Sequence, residues 1–296
     1  MIETGVEKLR DPFLLMENDT YYLYGTFRIS DCHDTDWVCY KNISGSLEGE
    51  WKPIDKPLYV RPENAETNFW APEVHKYNGF YYMFASYYSS LTKHRGVSVL
   101  KSDNPEGPFV EITNGHITSA DWDAIDGTFY VDEEGQPWMI FVHEWTCTND
   151  GVGRMAAAKL SGDLTRFISE PIELFRADDP IWATNIVTDG CFMHKTKDNQ
   201  LLMIWSNRCE YGYCVGIARS ENGKIDGEWM QDDKLLFSRQ KSGIYDGGHG
   251  MIFIDKDKQM YLVIHSPNGP IGERNEEAVF IPVCEKNGTL IWKKTN

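Results

Sequence analysis

The sequence predicts an all-β protein: a five-bladed β-propeller with four-stranded blades, forming one domain over residues 1–296. Three observations lead there. One pattern occurs five times along the chain. Each copy is built from short aromatic and β-branched runs bounded by turn residues, which read as strands. No convincing helical periodicity is sustained for about ten residues anywhere.

The copies begin near Asp11, Glu73, Asp126, Asp189 and His249, at spacings of 73−11 = 62, 126−73 = 53, 189−126 = 63 and 249−189 = 60. Each reads polar anchor, small residue or Pro, apolar run, turn, second apolar run. The first runs from Asp11 through a turn at Asn18-Asp19 to Tyr21–Thr26. In the second, Pro72–Lys76 is followed by Asn78-Gly79 and Tyr81–Ser86. Asn78-Gly79 is a strong hairpin signal, because both residues tolerate the positive φ of a tight turn. The third joins Ile125–Val131 to Pro137–Phe141 across Glu134-Gly135. The fourth joins Thr188–Met193 to Leu201–Ser206 across Asp198-Asn199, and the fifth joins Gly248–Phe253 to Met260–His265 across Asp257-Lys258. Later segments supply third and fourth strands: Val38–Tyr40 before Leu47–Trp51, Val97–Leu100 before Pro105–Phe109, and Val215–Ala218 before Asp226–Trp229.

A single blade has two apolar faces and cannot cover them alone. Neighbours on both sides do so, and closing the ring removes the exposed ends. The innermost strands line a channel, so five anchors in one register are expected to share one mouth. A β-sandwich or a pair of smaller β domains is the alternative; the five-fold register favours the ring.

Composition narrows the function. The net charge of −16 argues against nucleic acid, which needs a basic footprint, and against an anionic membrane surface. The aromatic residues (10 Trp, 15 Tyr and 14 Phe) suit both sheet packing and stacking on sugar rings. No stretch approaches the ~18 consecutive apolar residues of a membrane helix. The first residues, Met1–Glu7, have neither a basic nor an apolar leader region, so a cytoplasmic location is expected. The seven cysteines are Cys32, Cys39, Cys147, Cys191, Cys209, Cys214 and Cys284. They form no CxxC pair and read as reduced core residues.

Asp11, Asp126 and Asp189 each precede Pro or Gly and then the apolar body of an inner strand. One such Asp is an ordinary turn cap. Capping gives no reason for a common register in several blades, whereas a shared cavity does. Clustered carboxylates cannot ionise equally: like charge and burial raise some while others stay ionised. A pair split in this way provides an acid and a base near neutral pH, as glycoside hydrolysis requires.

Four segments together resemble glycoside hydrolase family 43: Arg10-Asp11-Pro12-Phe13, Phe69-Trp70-Ala71-Pro72-Glu73-Val74, Ile125-Asp126-Gly127-Thr128-Phe129 and Gly247-Gly248-His249-Gly250. The resemblance covers Asp11 to about Arg274 and implies a five-bladed propeller acting on carbohydrate. It implies that Asp11 is the general base and that Asp126 tunes and orients the general acid. That acid is usually Glu; the matching residue here is Asp189, one methylene shorter. Three readings stay open. Asp189 serves on an advanced strand, Glu144 reaches in instead, or the protein binds sugar without cleaving it. Asp189 is ranked ahead of Glu144.

His249 is either a histidine bonded to backbone or, as the resemblance implies, an axial residue beside a structural calcium or sodium ion. Hard cations prefer oxygen, so the contact would pass through the ion's water. No cofactor is required. Substrate contacts are expected from Trp70, as a stacking platform or a packing residue, from Glu73, and from His249. Arg274 is placed with them as a partner for a ring carboxylate, with His33 and Asp34 on the pocket rim. The expected activity is an inverting, exo-acting glycosidase on pentose-containing oligo- or polysaccharides, of α-L-arabinofuranosidase or β-xylosidase type. Its acid and base would stand about 6.5–9.5 Å apart. A non-hydrolytic sugar-binding propeller and a propeller glycosidase for another sugar are the alternatives.

Overall fold

A computed structural model describes residues 1–293. The expected domain runs to Asn296, and its last three residues lie outside the described residues. Strand β1 (Ile2–Glu7) opens the chain. Blade I is β2 (Leu9–Glu17), β3 (Thr20–Arg28), β4 (Thr35–Asn42) and β5 (Lys52–Pro53). Blade II is β6 (Ala65–Tyr77), β7 (Phe80–Ser89), β8 (Arg95–Ser102) and β9 (Val110–Glu111). Blade III is β10 (Ala124–Val131), β11 (Pro137–His143), β12 (Arg154–Lys159) and β13 (Ile172–Arg176). Blade IV is β14 (Asp189–Lys195), β15 (Leu201–Cys209), β16 (Gly212–Ser220) and β17 (Trp229–Gln231). Blade V is β18 (Gly248–Ile254), β19 (Met260–Ser266) and β20 (Glu277–Lys286), with β1 and β21 (Thr289–Trp292) sharing the outer edge of β20. The five-bladed, all-β expectation is therefore met. Among the described residues the only helix is Arg239–Ser242.

Every blade is a meander of antiparallel strands, so alternate side chains face opposite neighbours and both faces are buried. Apolar clusters fill the seams. Ile125, Val142 and Met155 of blade III meet Cys191, Met203 and Trp205 of blade IV. Ile204 and Ile217 of blade IV meet Ile252 and Ile264 of blade V. Four cysteines, Cys39, Cys191, Cys209 and Cys214, are buried, whereas Cys32 is exposed in the loop after β3, which corrects its reading as a core residue.

All five inner strands carry the same irregularity: two residues oppose one. Asp11-Pro12, Ala71-Pro72, Asp126-Gly127, Gly190-Cys191 and His249-Gly250 are the extra pairs, each lying at a register shift. The first residue of every pair has positive φ, between 46° and 56°. This is a β-bulge, which bends the strand and re-aims a side chain. Gly suits the left-handed conformation best, and Asp and His adopt it more readily than most residues.

The bulges correct the expected register. Asp11, Asp126 and His249 share it. Asp189 stands one residue before its bulge, where Gly190 takes the left-handed position. Glu73 stands two residues beyond Ala71.

The ring closes through charge as well as strand pairing. The fully buried Glu276 carboxylate accepts from Arg10 at 3.2 Å and from Arg28 at 2.6 Å, tying the approach to β20 to blade I. Glu276→Gln removes the counter-charge that Arg10 and Arg28 share. It should destabilise the fold by about 2–4 kcal/mol, read as a lower denaturation midpoint at unchanged m-value.

Candidate active site

The bulges of blades I, III and V aim three side chains at one point on the axis. His249 Nδ1 lies 3.2 Å from Asp11 Oδ1 and 3.6 Å from Asp126 Oδ2. Asp11 Oδ2 accepts from the Thr26 hydroxyl at 2.7 Å, and its backbone N–H donates to His265 Nδ1 at 3.2 Å. Asp126 Oδ2 accepts the Gly190 N–H at 2.9 Å. Asp189 Oδ2 accepts from the Tyr213 phenol at 3.0 Å. Glu144 is buried, with Oε2 held by Arg95 Nε at 2.6 Å.

These environments separate the carboxylates. Burial works against ionisation of Asp11, but His249, Arg10 and the Thr26 hydroxyl outweigh it and hold its carboxyl below the usual range. Burial, reinforced by the Asp11 charge, pushes Asp126 well above its ordinary value against the pull of the Gly190 N–H. Burial and then the Asp126 charge raise Asp189 to about 7. Burial raises Glu144 to about 7 as well, against the opposing pull of Arg95. His265 is driven down to about 3 by burial and the neighbouring Arg10, so it is neutral at pH 7. Its Nδ1 is then an acceptor, and Nε2 donates to Asn268 Oδ1 at 3.2 Å.

The remaining sequence candidates lie apart from this cluster or beside it. Glu73 is buried along β6 and pairs with His75 Nε2 at 2.9 Å. The part-buried Trp70 donates from its indole to Cys32 O at 2.8 Å and has the Arg95 guanidinium 5.7 Å from its ring. His33 packs beside Trp70 and bonds Asn68 at 2.8 Å, while Asp34 accepts from the Ser30 hydroxyl. Arg274 does not pair with a ring carboxylate. Its guanidinium is taken by Glu277 at 2.6 Å and Glu3 at 3.1 Å, on the outer side of blade V. Arg10, whose guanidinium is fixed by Glu276 and Asn268, is the arginine whose charge acts on Asp11.

Sequence reasoning passed over Thr26, Arg95, Tyr213 and His265. Thr26 and His265 had a usable signal, since each ends the second apolar run of its unit. Arg95 and Tyr213 sit in hairpins whose approach to the axis depends on loop geometry. Among the described residues no group of three or more His, Cys, Asp and Glu side chains has cation-binding geometry, and His249 Nδ1 is directed at carboxylates.

Comparison with known proteins agrees with the fold and bears on the chemistry. The family profile of Glycosyl hydrolases family 43 matches residues 5–287. An endo-arabinase structure from Bacteroides thetaiotaomicron superposes with a TM-score of 0.82 at 32% identity, covering 97% of this chain and 98% of that one. A probable arabinan endo-1,5-α-L-arabinosidase A of Aspergillus flavus is 25% identical, over 94% of this chain and 88% of its own length. The extracellular exo-α-(1→5)-L-arabinofuranosidase of Cellvibrio japonicus is 28% identical over 169 residues, 53% of this chain. The match spans only 45% of that relative's length, and also 45% of an extracellular endo-α-(1→5)-L-arabinanase of Bacillus subtilis.

The raised carboxyls couple folding to pH. Asp189 has a folded value of about 7 against an unfolded value of 3.8, so its contribution is fully present below pH 3.8 and is lost as pH rises through 7. Every tenfold gain in proton affinity on folding stabilises by at most about 1.4 kcal/mol. Asp189 therefore contributes a downward slope between pH 4 and pH 7, opposed by His265, whose lowered value adds stability as pH rises. In a Tm-against-pH series Asp189→Asn should remove the downward part, so that the variant gains Tm relative to wild type as pH rises through that window.

Proposed function

Because the chain belongs to glycosyl hydrolase family 43, we propose that it is an inverting glycosidase acting on pentose-containing chains of the arabinan type. One observation carries the reading: a single axial cluster holds Asp11 below the ordinary carboxylate range and Asp189 near 7. That is a base and an acid, ready together near neutral pH. The relatives named for arabinan favour arabinose over xylose as the sugar.

In this reading a water molecule attacks the anomeric carbon while Asp11 takes its proton. The bond to the departing glycosidic oxygen breaks, and Asp189 supplies the proton that oxygen needs. A single displacement inverts the anomeric centre. Burial keeps Asp189 protonated, Asp126 opposes its ionisation whenever Asp126 is itself ionised, and Tyr213 fixes its orientation. Glu144 is the weaker candidate for the acid, because its charge-assisted bond to Arg95 favours the ionised form. The same bond supports a second reading: if the shorter Asp189 does not reach the glycosidic oxygen, the site binds arabinan without cleaving it.

Asp11→Asn should lower kcat by about 10²–10⁴-fold with folding intact. Asp189→Asn should lose activity on arabino-oligosaccharides but keep much of it on an aryl arabinofuranoside with an acidic leaving group, which needs no proton. If Glu144→Gln shows that pattern instead, Glu144 is the acid. Wild-type kcat should fall above about pH 7 as Asp189 ionises, and again below pH 3.8 as Asp11 protonates. Proton NMR of the first product should show the inverted anomer; retention would overturn the mechanism. Binding of arabino-oligosaccharides by calorimetry with no released sugar would establish the second reading.

A further inference from the structure

The bulge residue of each inner strand presents its backbone N–H to the preceding blade, and four of the five seams answer it in one way. The Ala71 N–H donates to the Thr26 hydroxyl at 2.8 Å, Asp126 N–H to the Ser86 hydroxyl at 3.0 Å, His249 N–H to the Ser206 hydroxyl at 2.8 Å, and Asp11 N–H to His265 Nδ1 at 3.2 Å. Thr26, Ser86, Ser206 and His265 hold one register position: each pairs with the residue just before the bulge of its own blade. In blade III that position is Val142, opposite Ile125. Val142 is fully buried in the apolar seam with Cys191 and offers no acceptor. The Gly190 N–H donates instead to Asp126 Oδ2 at 2.9 Å.

We infer that Val142 is a positioning residue: by withholding the acceptor present at every other seam, it makes Asp126 the partner of the Gly190 N–H and so binds that carboxylate to the backbone carrying Asp189. Blade I displays the arrangement that Val142 prevents. There the Thr26 hydroxyl stands between the bulge carboxylate and the next blade, donating to Asp11 Oδ2 at 2.7 Å while accepting the Ala71 N–H. With Val in that place, no hydroxyl separates Asp126 from Gly190. An unmet buried N–H would be costly, so the carboxylate is drawn across the seam. Gly190 cannot retreat: a Cβ there would stand 2.7 Å from His249 Cγ, and its φ is +47°. The carboxyl that tunes Asp189 and the peptide that precedes its blade's apolar run are thereby held as one unit.

The catalytic consequence rests on the hydrolase reading above; the hydrogen-bond assignment does not. Val142→Thr restores the hydroxyl at nearly constant volume, and Val142→Ala keeps the position apolar. The primary readout is the Gly190 amide proton, followed by NMR against pH beside the Asp126 carboxyl carbon. In wild type the two should titrate together, and Asp126→Asn should abolish the amide step. Val142→Ala should retain the step. Val142→Thr, or Val142→Ser should the first variant not fold, should reduce it more than twofold. An undiminished step in the hydroxyl variant overturns the proposal. In the pH profile of kcat, the limb near 7 should move by half a pH unit or more in Val142→Thr and stay in place in Val142→Ala. Equal profiles for the two variants would refute the catalytic role. Loss of the amide step in Val142→Thr, together with no sugar released by the wild type, would support the positioning and sink the hydrolase reading alone.

Discussion

A flat β-strand sends alternate side chains to opposite faces, so no strand lining a channel can aim a residue squarely along the axis without a break in its pairing. The two-residue bulge at the head of each inner strand is that break, and the site depends on it. It demands a left-handed residue at one point in every blade, and the five occupants are Asp11, Ala71, Asp126, Gly190 and His249. Two of these bring carboxylates and one an imidazole. Ala71 brings only a methyl group and Gly190 brings nothing, so the ring is functional on some sides and bare on others. Backbone conformation thus decides which functional groups meet before any side chain contact does.

Electrostatics then divides the labour. Four buried or nearly buried carboxyls within one cluster cannot all ionise, and the cations are placed unequally around them. Arg10 stands behind Asp11, Arg95 is bonded to Glu144, and His249 leans toward Asp11 more closely than toward Asp126. Asp126 and Asp189 have no guanidinium partner and move upward, and burial moves Glu144 upward too against the pull of Arg95. The position of Arg10 is itself a product of ring closure, since Glu276 joins it to Arg28 where blade V meets blade I. Stability of the last seam and ionisation of Asp11 therefore share one anchor.

The sequence announced much of this and obscured the rest for definite reasons. Hairpins such as Val74 to Met83 across Asn78-Gly79 were legible because turn chemistry and strand composition agree. Asp11, Asp126 and His249 were legible as a set because the same bulge requirement acts on all three. Blade IV was misaligned by one residue. In Asp189-Gly190 the Asp looks like the partner of Asp126, yet Gly is better suited to positive φ and takes the bulge. Blade II was misaligned by two, although Pro12 and Pro72, which both follow the bulge residue, marked the correct alignment. Arg274 could not be placed from spacing, because Glu3 comes from the far end of the chain and reaches it only once β1 has closed the ring.

The misaligned residue is also the one with the least usual support. Asp189 is not aimed by a bulge, so its direction must be set by neighbours on either side. One is the peptide of Gly190, bonded to Asp126. The other is Tyr213, whose phenol reaches Asp189 because Gly248 lacks a side chain: a Cβ there would stand 2.6 Å from Tyr213 Cε1. The phenol ring is steadied by stacking on His265 at 5.6 Å, and its backbone N–H is held by Asp246. Burial keeps that phenol protonated, so it remains a donor toward Asp189. A carboxyl one methylene shorter than glutamate has fewer rotatable bonds to order, and here both ends of its reach are fixed by hydrogen bonds. Glycines at the heads of blades IV and V therefore do for Asp189 what the bulge does for Asp11 and Asp126: they let backbone and ring approach closely enough to leave it one orientation.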